Sequence, residues 1–121
     1  MKFREKELES GKKVFLGKNE KNNDELMKLY QGKSNVIFHT AKPGSPFCVS
    51  ERILNSREIK EAAAICASKS QDWRDNKKDV VVHRFTGRDI KKIKGMKTGC
   101  WNVKNVKEIK VKKKEIEDVE W

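Results

Sequence analysis

Between Asn55 and Ala67 the chain carries one amphipathic helix whose apolar face is built almost entirely of small side chains. Ile59, Ala62, Ala63, Cys66 and Ala67 recur there at spacings of three and four. Asn55 or Ser56 caps its start. A face with such short side chains is buried well only where another backbone comes close, and a β-sheet offers that flat surface. The helix therefore asks for strands around it, and the rest of the sequence supplies them.

Two short extended runs, Phe3 to Leu8 and Lys13 to Gly17, flank the turn residues Glu9-Ser10-Gly11-Lys12 and predict an amino-terminal hairpin. After the polar stretch Lys18 to Asn23, Asn22 can cap a helix beginning at Asn23 or Asp24, with Glu25 completing a capping-box-like pattern. Leu26, Leu29 and Tyr30 fall on one face of that helix, and Gly32 is placed to stop it. Asn35 to Thr40 and Phe47 to Ser50 are β-prone runs joined by the turn chemistry of Pro43-Gly44-Ser45-Pro46. The polar residues Ser68 to Lys78 close the small-faced helix. Asp79 to Thr86, opening on Val80-Val81-Val82, then reads as a central strand. Arg88 to Gly95, Thr98 to Val103 and Val106 to Val111 read as short strands with basic outward positions, and Lys112 to Trp121 as an edge strand or a loose tail. The order β-β-α-β-β-α-β-β-β predicts an α+β fold: a mostly antiparallel or mixed sheet with two helices packed on one face. At 121 residues, positions 1–121 are expected to form a single domain.

Charge narrows the partner. Against 29 Lys and Arg stand 18 Asp and Glu, a formal +11. So unbalanced a surface gains by displacing the counterions condensed on a polyanion. Cys48, Cys66 and Cys100 are widely separated and contain no C-x-x-C pair, which suggests neither a zinc ribbon nor a disulfide framework and fits a reducing cytoplasm. No run approaches the roughly 20 apolar residues of a membrane span. The start Met1-Lys2-Phe3-Arg4-Glu5 leads into charge rather than a signal peptide.

Several ordered motifs follow one another: Gly17-Lys18-Asn19 with Asn23-Asp24 and Leu26, then Phe38-His39-Thr40, Pro43-Gly44-Ser45, and Lys91, Lys94-Gly95, Lys97 and Gly99. Together they resemble the NFACT-R family, the RNA-binding domain of ribosome quality-control proteins formerly regarded as fibronectin-binding, which also occurs alone in archaea and eukaryotes. The resemblance is strongest over residues 12–111. It departs from the family at Asn35-Val36-Ile37, where the family reads Asp-x-Trp, and at Pro46, where the family has His. It implies a non-catalytic RNA-binding module with tRNA or ribosomal RNA as partner and no cofactor. The ribosome and DNA stay open as further partners, and no membrane is expected.

The residues expected to carry binding come from three places. Arg84, Arg88, Lys91, Lys92, Lys94 and Lys97 form a basic cluster on strands and turns, continued by Lys104, Lys107, Lys110 and Lys112 to Lys114. Lys107 and Lys110 cannot share one face of a strand without a bulge. Lys18, Asn19 and Asn23, around a helix start, can seat a phosphate, although Gly17-Lys18-Asn19 lacks the Walker spacing. His39 can touch the ligand, and Trp101 either stacks on a base or packs in the core. Two rival readings remain: an RNA-modification factor using His39, Ser45 or Cys48, and an adaptor whose basic face meets DNA or an acidic protein.

Overall fold

A computed structural model describes residues 2–121. The amino-terminal hairpin forms as expected, with β1 (Arg4–Glu7) paired to β2 (Lys13–Leu16). Gly11 turns it at a φ of +93°, a region that suits glycine. Helix α1 (Glu20–Tyr30) starts three residues before the first of its expected positions. The Asn19 side chain, not that of Asn22, takes the cap and accepts from the Asn22 amide at 2.8 Å. Asn22 instead accepts from the Lys18 amide at 2.9 Å. The helix ends at Gln31, and Gly32 beyond it has a φ of +83°.

Strands β3 (Val36–Thr40) and β4 (Cys48–Ser50) follow, then α2 (Ser56–Ser68), opened by a reciprocal box in which Asn55 and Glu58 each accept the other's amide. Two helices appear where none was expected. The polar stretch after α2 contains α3 (Gln71–Asn76), capped by the Ser70 hydroxyl on the Trp73 amide. The carboxyl-terminal segment, expected as strand or tail, forms α4 (Lys113–Glu117) because Ile116 and Val119 pack against α2. Between them lie β5 (Val80–Thr86), β6 (Ile90–Lys91), β7 (Asn102–Val103) and β8 (Lys107–Val111).

Six strands make one antiparallel sheet in the order β1-β2-β4-β3-β5-β8, while β6 and β7 form a separate two-stranded ribbon. Strand β5 is interior, as its apolar run requires. Alternation sends Val14, Leu16, Phe38, Cys48, Val80, Val82 and Val111 to one face, where α2 lays down Ala62, Ala63, Cys66 and Ala67, all fully buried. Ile37, Val49 and Phe85 point the other way and meet Leu26 and Met27 of α1 together with Ile90 and Trp101 of the ribbon segment. Helices therefore cover both faces rather than one. The reason is in β3, β4 and β5: their apolar residues occupy both parities, so each side of the sheet needs a cover. The second face, under α1 and the ribbon, carries most of the motif residues.

Candidate functional site

Helix α1 turns Asn22, Asn23 and Asp24 inward from its first turns. Asn23 Oδ1 accepts from the Phe47 amide at 3.1 Å, which ties α1 to the approach of β4. Gly17 makes room for that carboxamide, since a Cβ there would collide with it. Asp24 is the centre of a second tie. Its Oδ1 accepts from the Gly99 amide and from Trp101 Nε1, both at 2.9 Å, and Lys92 Nζ approaches to 3.2 Å. The same ammonium donates to the carbonyls of Lys97 and Cys100, each at 2.7 Å, and lies over the Trp101 ring. An ammonium has three protons, and these partners account for them. Burial pushes the Asp24 carboxyl up, but the Gly99 amide, the Trp101 indole and Lys92 outweigh it and hold the group below its ordinary 3.8. Charge-assisted bonds thus fasten the β6–β7 loop onto α1.

Beside this hub lies a cleft of about 420 Å³. Phe47, Phe85 and Trp101 give it aromatic walls, and Val103 and Val106 line it from the ribbon side. His39 and His83 also line it, and the His39 ring rests on Phe47 with centroids 4.5 Å apart. His39 Nδ1 is 2.8 Å from the Thr40 carbonyl, so that nitrogen carries the proton. Burial lowers the His39 pKa below its ordinary 6.5 despite that carbonyl, which leaves the ring neutral at pH 7. Gly44 and Gly99 border the cleft at φ of +94° and +84°.

On the far side of Val103 is a second groove, also about 420 Å³, whose lining includes Arg88, Lys91 and Lys104. Its one carboxylate, Asp89, is engaged within the chain: Oδ2 accepts from the Thr86 amide and hydroxyl, and Oδ1 from Asn105. Burial raises the Asp89 pKa, and the Asn105 and Thr86 donors with nearby Lys104 bring it below 3.8.

The residues expected to bind divide accordingly. Asn23, His39 and Trp101 meet at the cleft, and Arg88 and Lys91 at the groove. Lys94 and Lys97 are exposed on the loop between β6 and β7, and Lys18 is exposed ahead of α1. Lys92 is committed to the Asp24 hub and Asn19 to its cap. The amides of Gly17, Lys18 and Asn22 already donate to Phe47, Asn22 and Asn19, so the helix start offers a phosphate the Lys18 side chain rather than those amides. Arg84 is not brought to this side: it pairs with Phe38 and Lys107, on the face that α2 covers. The basic run after Lys104 is divided as well, with Lys107 and Lys110 on opposite faces in a regular register and Lys112 leading into α4.

Of His39, Ser45 and Cys48 the fold brings the first two to the cleft and leaves the third out. Cys48 is fully buried on the α2 face, its thiol pushed well up by burial, whereas His39 faces α1 and the ribbon. The Ser45 hydroxyl accepts from the Thr40 amide and donates to the Pro46 carbonyl. All three cysteines are free thiols. Among the described residues no helix is long and apolar enough to cross a membrane.

Sequence reasoning passed over Asp24 as a hub, and Phe47, Phe85, His83, Val103 and Val106 as cleft residues. For two of them a signal was present. His83 and Phe85 alternate with Val82 and Arg84, which puts them on the face away from α2 once Val82 is assigned to the core.

The family model for the NFACT protein RNA binding domain matches residues 2–105. No curated protein matches the chain. Among solved structures it is similar to the C-terminal of the fibronectin/fibrinogen-binding protein from Streptococcus suis, at 25% identity and a TM-score of 0.82. That likeness covers 100% of this chain and 50% of the other, so the chain spans half the length of that relative.

Proposed function

The chain belongs to the NFACT RNA-binding-domain family, and from that premise we propose that it is a non-catalytic module holding tRNA or ribosomal RNA through phosphate contacts, in the service of translation or ribosome quality control in the cytoplasm. One observation carries the reading. Between positions 88 and 104 the ribbon and its loop hold six cations, Arg88, Lys91, Lys92, Lys94, Lys97 and Lys104, and a single carboxylate, Asp89. Five of the six are exposed, and the sixth, Lys92, fixes the loop that displays Lys94 and Lys97. Cations displayed on an anchored loop are suited to a phosphate backbone, because little loop freedom remains to be lost on binding. Lys18, exposed ahead of α1, offers a further cation. DNA offers similar phosphates, and it serves as the competitor that distinguishes the two polyanions.

Filter binding of tRNA tests the reading with the wild type and a Lys91→Gln/Lys94→Gln/Lys97→Gln triple variant over a salt series. The wild type is expected to lose affinity steeply with salt, with a log–log slope of about −0.7 to −0.9 for each phosphate engaged. In the triple variant binding at low salt weakens and the slope shrinks by about one per lysine removed. Equal affinity and slope in the two proteins would place the phosphate contacts elsewhere.

A further inference from the structure

The cleft and the groove differ in chemistry and share a wall. Phe47, Phe85 and Trp101 line the cleft and are at most 9% exposed, so packing fixes their rings and only a small part of each is open to it, while His39 lies against Phe47 as a neutral fourth ring. Among the described residues Glu20 is the only Asp, Glu, Lys or Arg that lines the cleft. No described lysine or arginine lines it to meet a phosphate. The groove is the converse, with three exposed cations and one carboxylate already engaged by Thr86 and Asn105. Val103 lines both. Val106, which also lines the cleft, keeps 39% of its surface in solvent.

Resting on the RNA-binding reading, we infer that this pair of sites takes one unpaired nucleotide: the base enters the aromatic cleft and the adjoining phosphate lies in the groove of Arg88, Lys91 and Lys104. A nucleotide is a flat, largely apolar ring joined to an anion, and Val103 of the ribbon borders both an apolar site and a cationic one. An apolar peptide would fit the cleft but leave the groove empty, and a duplex would fit the groove but leave the cleft empty because its bases are stacked. Bases of single strands, loops and bulges are free to turn out onto aromatic surfaces. The ligand class is therefore unpaired RNA rather than helical RNA.

The experiment measures affinity for a short single-stranded RNA and for the same sequence annealed into a duplex, using the wild type, Val106→Trp, Ala41→Phe and Lys91→Gln/Lys104→Gln. Val106 and Ala41 are exposed at the cleft, so bulk added there fills it without entering the core. The wild type prefers the single strand by about tenfold, within the range expected for stacking one base on aromatic side chains. Val106→Trp and Ala41→Phe abolish that preference and leave duplex binding as it was, while Lys91→Gln/Lys104→Gln weakens both RNAs and lowers the salt slope. If the wild type binds both RNAs equally, or if neither cleft-filling variant reduces the preference, the nucleotide site is refuted while RNA binding through the ribbon survives. Failure of the wild type to bind either RNA at low salt overturns both.

Discussion

At the scale of single residues the site depends on one carboxylate. Asp24 gathers a backbone amide, an indole and an ammonium that are 75, 77 and 68 positions away in sequence. Replacing it with Ala leaves the buried Trp101 Nε1 without a partner and takes the counter-charge from the part-buried Lys92 ammonium, a loss of about 3 kcal/mol. Chemical denaturation of wild type and Asp24→Ala measures it. The pH dependence has a definite sign. Because the folded pKa lies below the ordinary 3.8, the stabilising contribution is complete above that value and disappears as pH falls through the lower, folded one. The gap between wild type and variant should therefore be constant from pH 7 to about 5 and close on further acidification. A gap that widens toward acid would mean the carboxylate is not held by these donors. Nothing local marks Asp24 as the centre. Its sequence neighbours say helix start, and the three donors come into reach only through the closure of the β6–β7 loop.

At the scale of elements, legibility follows how much of the signal is local. Helix α2 is readable because thirteen residues show the spacing and the Asn55–Glu58 box marks its start. The α1 start reads late because three asparagines compete for the cap and only the fold decides that Asn22 turns to the Lys18 amide. Helices α3 and α4, of six and five residues, are too short for periodicity to separate from a polar turn or a tail. Packing supplies what their sequence does not: Ile116 is 2% exposed beneath α2. Ile116→Ala should cost about 2 to 4 kcal/mol in thermal or urea unfolding. A cost within error of zero would return the segment to the loose tail that its charge suggested. The exposed neighbour Lys114→Ala is the natural control, with little change expected.

At the scale of the whole molecule, the composition points correctly to a positive protein but not to how its charge is distributed. Around the groove between β1, α2 and α4, six carboxylates from Glu7, Glu9, Glu61, Glu115, Asp118 and Glu120 stand against Lys6, Arg57 and Lys60. The ribbon segment has the opposite balance. A polyanion thus meets net negative charge at that groove and net positive charge along the ribbon. The α+β class and the antiparallel sheet are legible from short runs and turns. The strand order is not, because β2 pairs with β4 and β5 with β3 and β8 across long stretches of chain, and only that order reveals two covered faces. The clustering of Asn23, His39 and Trp101 is likewise a product of topology, while the expectation for Arg84 rested on charge and took no account of strand parity. The family's RNA-binding character, the charge polarity and the anchored ribbon together favour an interface on the α1 and ribbon side. Hydrogen–deuterium exchange of the chain with and without tRNA tests that placement most directly. Protection confined to residues 88 to 104 and to the Ala41–Ser45 lip, with α2 and α4 unchanged, is the predicted result; protection centred on α2 and α4, with the ribbon unaffected, would contradict it.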